Sequence, residues 1–83
     1  MKPEDALGGV LRELRQKRGL SQETLAFEAG VQRNYISLLE RGVNSASVKI
    51  LFKIAPILGV PVSELLLQAE SRLHAGKALK RRG

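Results

Sequence analysis

The chain has no cysteine, no tryptophan, one tyrosine, two phenylalanines and a single histidine in 83 residues. Without cysteine there is neither a disulfide scaffold nor a thiolate metal site. His74 and eight carboxylates are poor material for a catalytic centre. Glu70 lies one turn before His74, which is the spacing of an ordinary surface pair on a helix. Gly8-Gly9 has neither the flanking strand nor the lysine of a phosphate-cradling loop. The longest apolar runs, such as Leu65-Leu66-Leu67, fall far short of the roughly 20 residues a membrane span needs, and Met1-Lys2-Pro3-Glu4-Asp5 lacks the apolar core of a signal peptide. Together these absences argue against an enzyme, a metal or cofactor site and a membrane protein. They leave a one-domain binding protein, expected to be cytoplasmic.

Charge is what the chain has in excess. Fourteen basic and eight acidic residues give +6, and residues 67–83 carry +4 of it. Lys77, Lys80, Arg81 and Arg82 therefore fit a solvated end as well as a nucleic-acid contact. They are too few, and too poor in aromatics, for a membrane-surface helix.

Apolar residues recur at helical spacing through most of the chain. Leu7, Val10, Leu11 and Leu14 form a first stripe; Gly8 and Gly9 weaken its first turn, so the well-formed helix is expected from about Val10 to Arg18. Ser21 suits the N-cap of a second helix, with Glu23 in its first turn and Gly30 at its end. A third helix spans about Gln32 to Arg41 and stops at Gly42. Ser47 caps a fourth, whose stripe is Val48, Leu51, Ile54, Ala55 and Leu58. Pro56 removes the amide that would bond the Phe52 carbonyl, which predicts a kink or an early end. Pro61 suits the first turn of a fifth helix reaching about Leu73. No stretch alternates with period two long enough for a strand. The expectation is an all-α bundle of five short helices over 1–74, with a basic tail at 75–83 left open to fraying.

Helices two and three are separated by a turn of three to four residues containing Gly30. Small Ala26 precedes that turn, and Val31, Ile36 and Leu39 follow it, which is the spacing of a helix-turn-helix at about 21–41. Small helical bundles also use Ala, Gly and Ile at corners. The longer pattern is more specific. It comprises Leu14-Arg15, Gly19-Leu20-Ser21-Gln22-Glu23, Leu25-Ala26, Ala29-Gly30-Val31, Tyr35-Ile36-Ser37, Glu40-Arg41-Gly42, Leu51, Ile54-Ala55, Leu58-Gly59-Val60 and Leu65-Leu66. Over residues 11–66 the chain resembles the phage repressor and Cro-like, XRE-type helix-turn-helix DNA-binding family. Its Tyr-Ile-Ser and Glu-Arg-Gly pieces are similar to restriction-modification controller proteins. The chain departs from the family pattern at Pro56 and at Ser45-Ala46, where many relatives carry a proline.

The third helix can be read by geometry as well. With Ile36 at zero and about 100° per residue, Leu39 and Glu40 share its side, while Asn34, Ser37, Leu38 and Arg41 lie broadly opposite. Arg33 and Asn34 occupy the first turn, the part of a recognition helix that enters the major groove deepest. Arg pairs bidentately with guanine and Asn with adenine, each good pair giving about 1–3 kcal/mol of discrimination. Asn34 also suits a local cap, and Arg33 a phosphate. The resemblance implies that Gln22 bonds a backbone phosphate and braces the reading residues. Gln32 suits a cap or a phosphate, Ser37 a base edge, and Tyr35 a phosphate or the core boundary. Arg41 and Asn44, flanking the end of the helix, suit phosphate contacts.

Glu40 falls on the core side, where an unpaired carboxylate is costly. The resemblance implies a partly buried salt bridge from Glu40 to Arg15. Leu65, Leu66 and Leu67 span about 200° of helix five, more than one core easily buries, and Leu66 with Leu73 makes a second stripe. Leu66, Leu67 and Leu73 are therefore the candidate homodimer interface. A two-fold pair would set two recognition helices about 34 Å apart on a pseudo-palindromic operator.

The expected function is a sequence-specific regulator that binds double-stranded DNA without a cofactor; no small-molecule inlet is evident. The alternative is the same fold used as a protein-interaction module, antitoxin-like or adaptor, with Leu38 and the helix-five leucines as its surface. Arg33, Asn34 and Arg41 argue against that as the sole role, because they are costly to bury in a protein interface.

Overall fold

A computed structural model describes the backbone of residues 1–82 and the side chains of residues 1–75. Five helices follow in order: α1 (Pro3–Lys17), α2 (Gln22–Ala29), α3 (Arg33–Glu40), α4 (Val48–Leu58) and α5 (Val62–Arg82). There is no strand among the described residues. The side chains of the basic tail lie, beyond Ala75, outside the described residues.

α1 begins seven residues before the expected Val10. Pro3 opens it with a φ already suited to a helix and no amide to lose, and the Asp5 carboxylate accepts the Lys2 backbone N–H at 3.1 Å. Glu4 and Asp5 sit at the positive end of the helix dipole. Gly8 is present for packing: α1 crosses the C-terminal end of α3 there, and a Cβ would overlap the carbonyl oxygens of Leu39 and Glu40. The intrinsic cost of glycine in a helix, about 1 kcal/mol relative to Ala, is accepted in exchange for that close approach.

The corner between α2 and α3 is built as its residues suggest. Ser21 Oγ accepts the Thr24 amide at 3.0 Å. Gly30 ends α2 in the left-handed region (φ 72°), and the Val31 amide reaches back to the Ala26 carbonyl at 2.9 Å. Ala26, Ile36 and Leu39 are buried where the two helices meet. α3 is one residue shorter than expected at each end, with Gln32 and Arg41 in the cap positions.

Pro56 does not end α4 early. The helix continues two residues beyond it to Leu58, with the exposed Pro56 near its end, where few backbone bonds remain to be lost. Pro61 precedes α5, its carbonyl accepting the amides of Glu64 and Leu65. α1 packs against α3 and α5, and α2 against α3 and α4. Their shared core holds Val10, Leu11, Leu25, Ile36, Ile54 and Leu65 out of solvent. Each such side chain contributes about 1.5–3 kcal/mol by leaving water. Arg72 reaches from α5 across Gly9 to Glu13 on α1 at 2.7 Å, a second link between these helices.

Candidate nucleic-acid interface

The α3 face turned away from the core carries polar groups in the order the sequence suggests. Arg33 and Asn34 in the first turn are exposed, as are Gln32 before the helix and Arg41 and Asn44 after it. Ser37 and Leu38 are half-buried. Tyr35 is half-buried and packs on the core. Among the described residues, no side-chain hydrogen bond or ion pair engages Gln32, Arg33, Asn34, Tyr35, Ser37, Arg41 or Asn44. Gln32 holds the N-cap position of α3 without a side-chain cap bond, so the capping role considered for it is not the one it plays. Two guanidiniums and three amides thus stand exposed on one short helix and its flanks, with their donors available.

The other side of α3 is fastened. Glu40, its carboxylate side chain 2% exposed, accepts two bonds from the Arg15 guanidinium, at 2.6 Å from Nε and 3.0 Å from the terminal nitrogen. This fork-on-carboxylate geometry satisfies both oxygens. The remaining Arg15 nitrogen donates to the Leu20 carbonyl at 2.7 Å, which ties down the turn between α1 and α2. Gln22 Nε2 donates to Glu40 Oε1 at 3.0 Å. One buried carboxylate therefore joins α1, α2 and α3.

Gln22 braces the end of α3 rather than the reading side chains in its first turn. Pair spacing alone gives no sign of this contact, because it depends on the angle between α2 and α3. No buried side-chain polar atom among the described residues is left without a partner.

Leu66 and Leu67 are exposed, while Leu65 between the helices is fully buried and Leu73 is half-buried against the core. A groove of about 690 Å³ is lined by Leu66, Leu67 and Leu73 of α5 together with Leu7, Asn44 and Ala46. Among the described residues no three His, Asp or Glu side chains are grouped to hold a metal, and no single helix is long and apolar enough to cross a membrane.

Comparison with known proteins gives a consistent result. A helix-turn-helix family profile matches residues 11–65. Control protein C.BamHI of Bacillus amyloliquefaciens is 43% identical over 60 residues, covering 71% of this chain and 74% of that protein. SlrR of Bacillus subtilis, an HTH-type transcriptional regulator, is 38% identical over 69 residues, covering 82% of this chain and 45% of its own length. The chain thus spans about half of that relative. Among solved structures, the clp gene regulator ClgR of Corynebacterium glutamicum superposes with a TM-score of 0.90 at 30% identity, over 98% of this chain and 86% of that one. The biofilm regulator SinR, solved in complex with DNA, gives a TM-score of 0.69 at 34% identity, over 72% of this chain and 97% of that one.

Proposed function

Because the chain belongs to the helix-turn-helix family, we propose that it is a transcriptional regulator that binds double-stranded DNA sequence-specifically, with α3 in the major groove. The observation that carries this reading is the exposed, unengaged set Arg33, Asn34 and Arg41 on α3 and its C-terminal cap, a helix fastened to the core through Glu40. Arg33 and Asn34 read base edges from the first turn. Gln32, Tyr35, Arg41 and Asn44 contact phosphate, and Ser37 faces a base edge. Gln22 offers its second N–H to a phosphate while the first stays on Glu40. SinR, similar in fold and sequence, is a DNA-bound example of such a domain. Its output is binding, with neither catalysis nor a small-molecule ligand required, in the cytoplasm.

The unit of binding is a homodimer joined through Leu66, Leu67 and Leu73, a reading supported by the exposure of Leu66 and Leu67 beside a leucine-lined groove. Two recognition helices then stand about one duplex turn apart, about 34 Å, and the operator is pseudo-palindromic. Leu66→Glu should abolish association through the leucines, leaving a folded monomer by light scattering at low micromolar concentration. A parent chain that is already monomeric at high micromolar concentration would remove the dimer.

Selection from a pool of random duplexes at two salt concentrations tests the DNA reading. A recovered palindrome supports it. Binding without sequence preference that disappears as salt rises would mean that charge alone holds the duplex, and the protein-interaction reading of the same fold would then lead.

A further inference from the structure

The two phenylalanines of this chain both lie on its surface, Phe27 of α2 at 84% exposure and Phe52 of α4 at 64%. Aromatic rings are the largest apolar groups available to a core this small, and exposing two of them leaves a substantial driving force unused. Their surroundings are opposite in sign. On α2, exposed Glu23 lies one turn before Phe27 and exposed Glu28 directly after it, and the helix has no basic residue. On α4, exposed Lys49 lies one turn before Phe52 and exposed Lys53 directly after it, and the helix has no acidic residue. Exposed Val48 and Pro56 extend the apolar stripe at either end of Phe52.

Along the axis the two glutamates are about 7.5 Å apart and the two lysines about 6 Å, one of each pair before its ring and one after; around the axis the glutamates flank Phe27 on both sides, whereas the lysines share one flank of Phe52. None of these four charges forms an ion pair among the described residues.

We propose that the α2 face of one copy of this chain docks on the α4 face of a second copy, Phe27 against Phe52, with Glu23 and Glu28 opposite Lys49 and Lys53. The partner is specified by charge complementarity: the only chemistry this surface needs is already on the same molecule. The contact is separate from the leucine groove, none of whose lining residues it uses. It requires no DNA, so it stands apart from the proposed function. Complementary charges favour this register, and like charges brought together oppose it.

The test is sedimentation velocity without DNA in a Leu66→Glu background, so that association through the leucine groove does not contribute. That chain should associate reversibly at high concentration, and less as salt rises. The charge-reversed chains Glu23→Lys/Glu28→Lys and Lys49→Glu/Lys53→Glu should each self-associate about ten-fold or more weakly. Mixing the two should restore association, because each then offers the sign the other lacks. Phe27→Ala should weaken association without lowering the melting temperature, since its side chain leaves no cavity. A Leu66→Glu chain that stays monomeric throughout, reversal without effect, or a mixture that remains monomeric would each overturn the proposal. The last result, accompanied by loss of duplex binding in Lys49→Glu/Lys53→Glu alone, would reassign the lysines to phosphate.

Discussion

The two sides of α3 share eight residues and one helix axis, yet they are subject to different physics. Ile36, Leu39 and Glu40 are buried, and Glu40 holds a bidentate pair plus a third bond. Arg33 and Asn34 are exposed, and their side chains bond nothing among the described residues. A helix this short is not stable alone, so its orientation must come from the side that is fastened. The free side can then vary its chemistry without affecting the fold. The comparison teaches that here rigidity and recognition are carried by different residues of one element, and the two should separate under mutation.

The largest effect is expected from breaking the fastened side. Arg15→Ala leaves Glu40 buried without its charge partner and should cost about 3–5 kcal/mol in denaturant unfolding, as the loss of one member of a buried pair does. A loss below about 1 kcal/mol would show that water or rearrangement satisfies Glu40.

Gly8→Ala comes next. Helix propensity alone would make this substitution stabilising by about 1 kcal/mol, but the new methyl meets the Leu39 and Glu40 carbonyls. The expected net result is a loss of about 1–3 kcal/mol, the range for overpacking. Thermal melts decide the sign.

Gln22→Ala removes one donor from Glu40 and leaves the Arg15 fork in place, so about 1 kcal/mol is expected. In the double variant with Arg15→Ala the two losses should not add, because they share one carboxylate. Arg33→Ala, on the free side, should alter stability by less than about 0.5 kcal/mol.

Much of this arrangement was legible in the sequence. The Ser21 and Ser47 caps, the Gly30 stop and the apolar stripes place five helices in order, because caps and periodicity are local signals. A 100° step places Asn34, Ser37 and Arg41 opposite Ile36, but it puts Arg33 about 60° from Ile36, on the side of Glu40; Arg33 is exposed through its place in the first turn. The Arg15–Glu40 link came from family resemblance, since 25 residues of separation carry no local signal.

What was not legible depends on how helices cross. Gly8 reads locally as a weak point, and only the passage of α3 over it gives a reason for a missing side chain. Gly8-Gly9 likewise predicts a helix from about Val10, whereas α1 starts at Pro3. Pro56 reads as a break, yet so near the end of α4 it costs few bonds. Gln22 turns to Glu40 because the angle between α2 and α3 brings them together. Apolar character alone did not tell which side of its helix Phe27 or Phe52 would occupy.

The most direct test pairs two readings on one substitution: the unfolding free energy of Arg33→Ala, and its preference for a selected operator over a random duplex. If the free side of α3 reads sequence, stability stays within about 0.5 kcal/mol of the parent while discrimination falls by about 1–3 kcal/mol, roughly ten- to hundred-fold. Undiminished preference in a fully folded Arg33→Ala chain would contradict the assignment of recognition to this face.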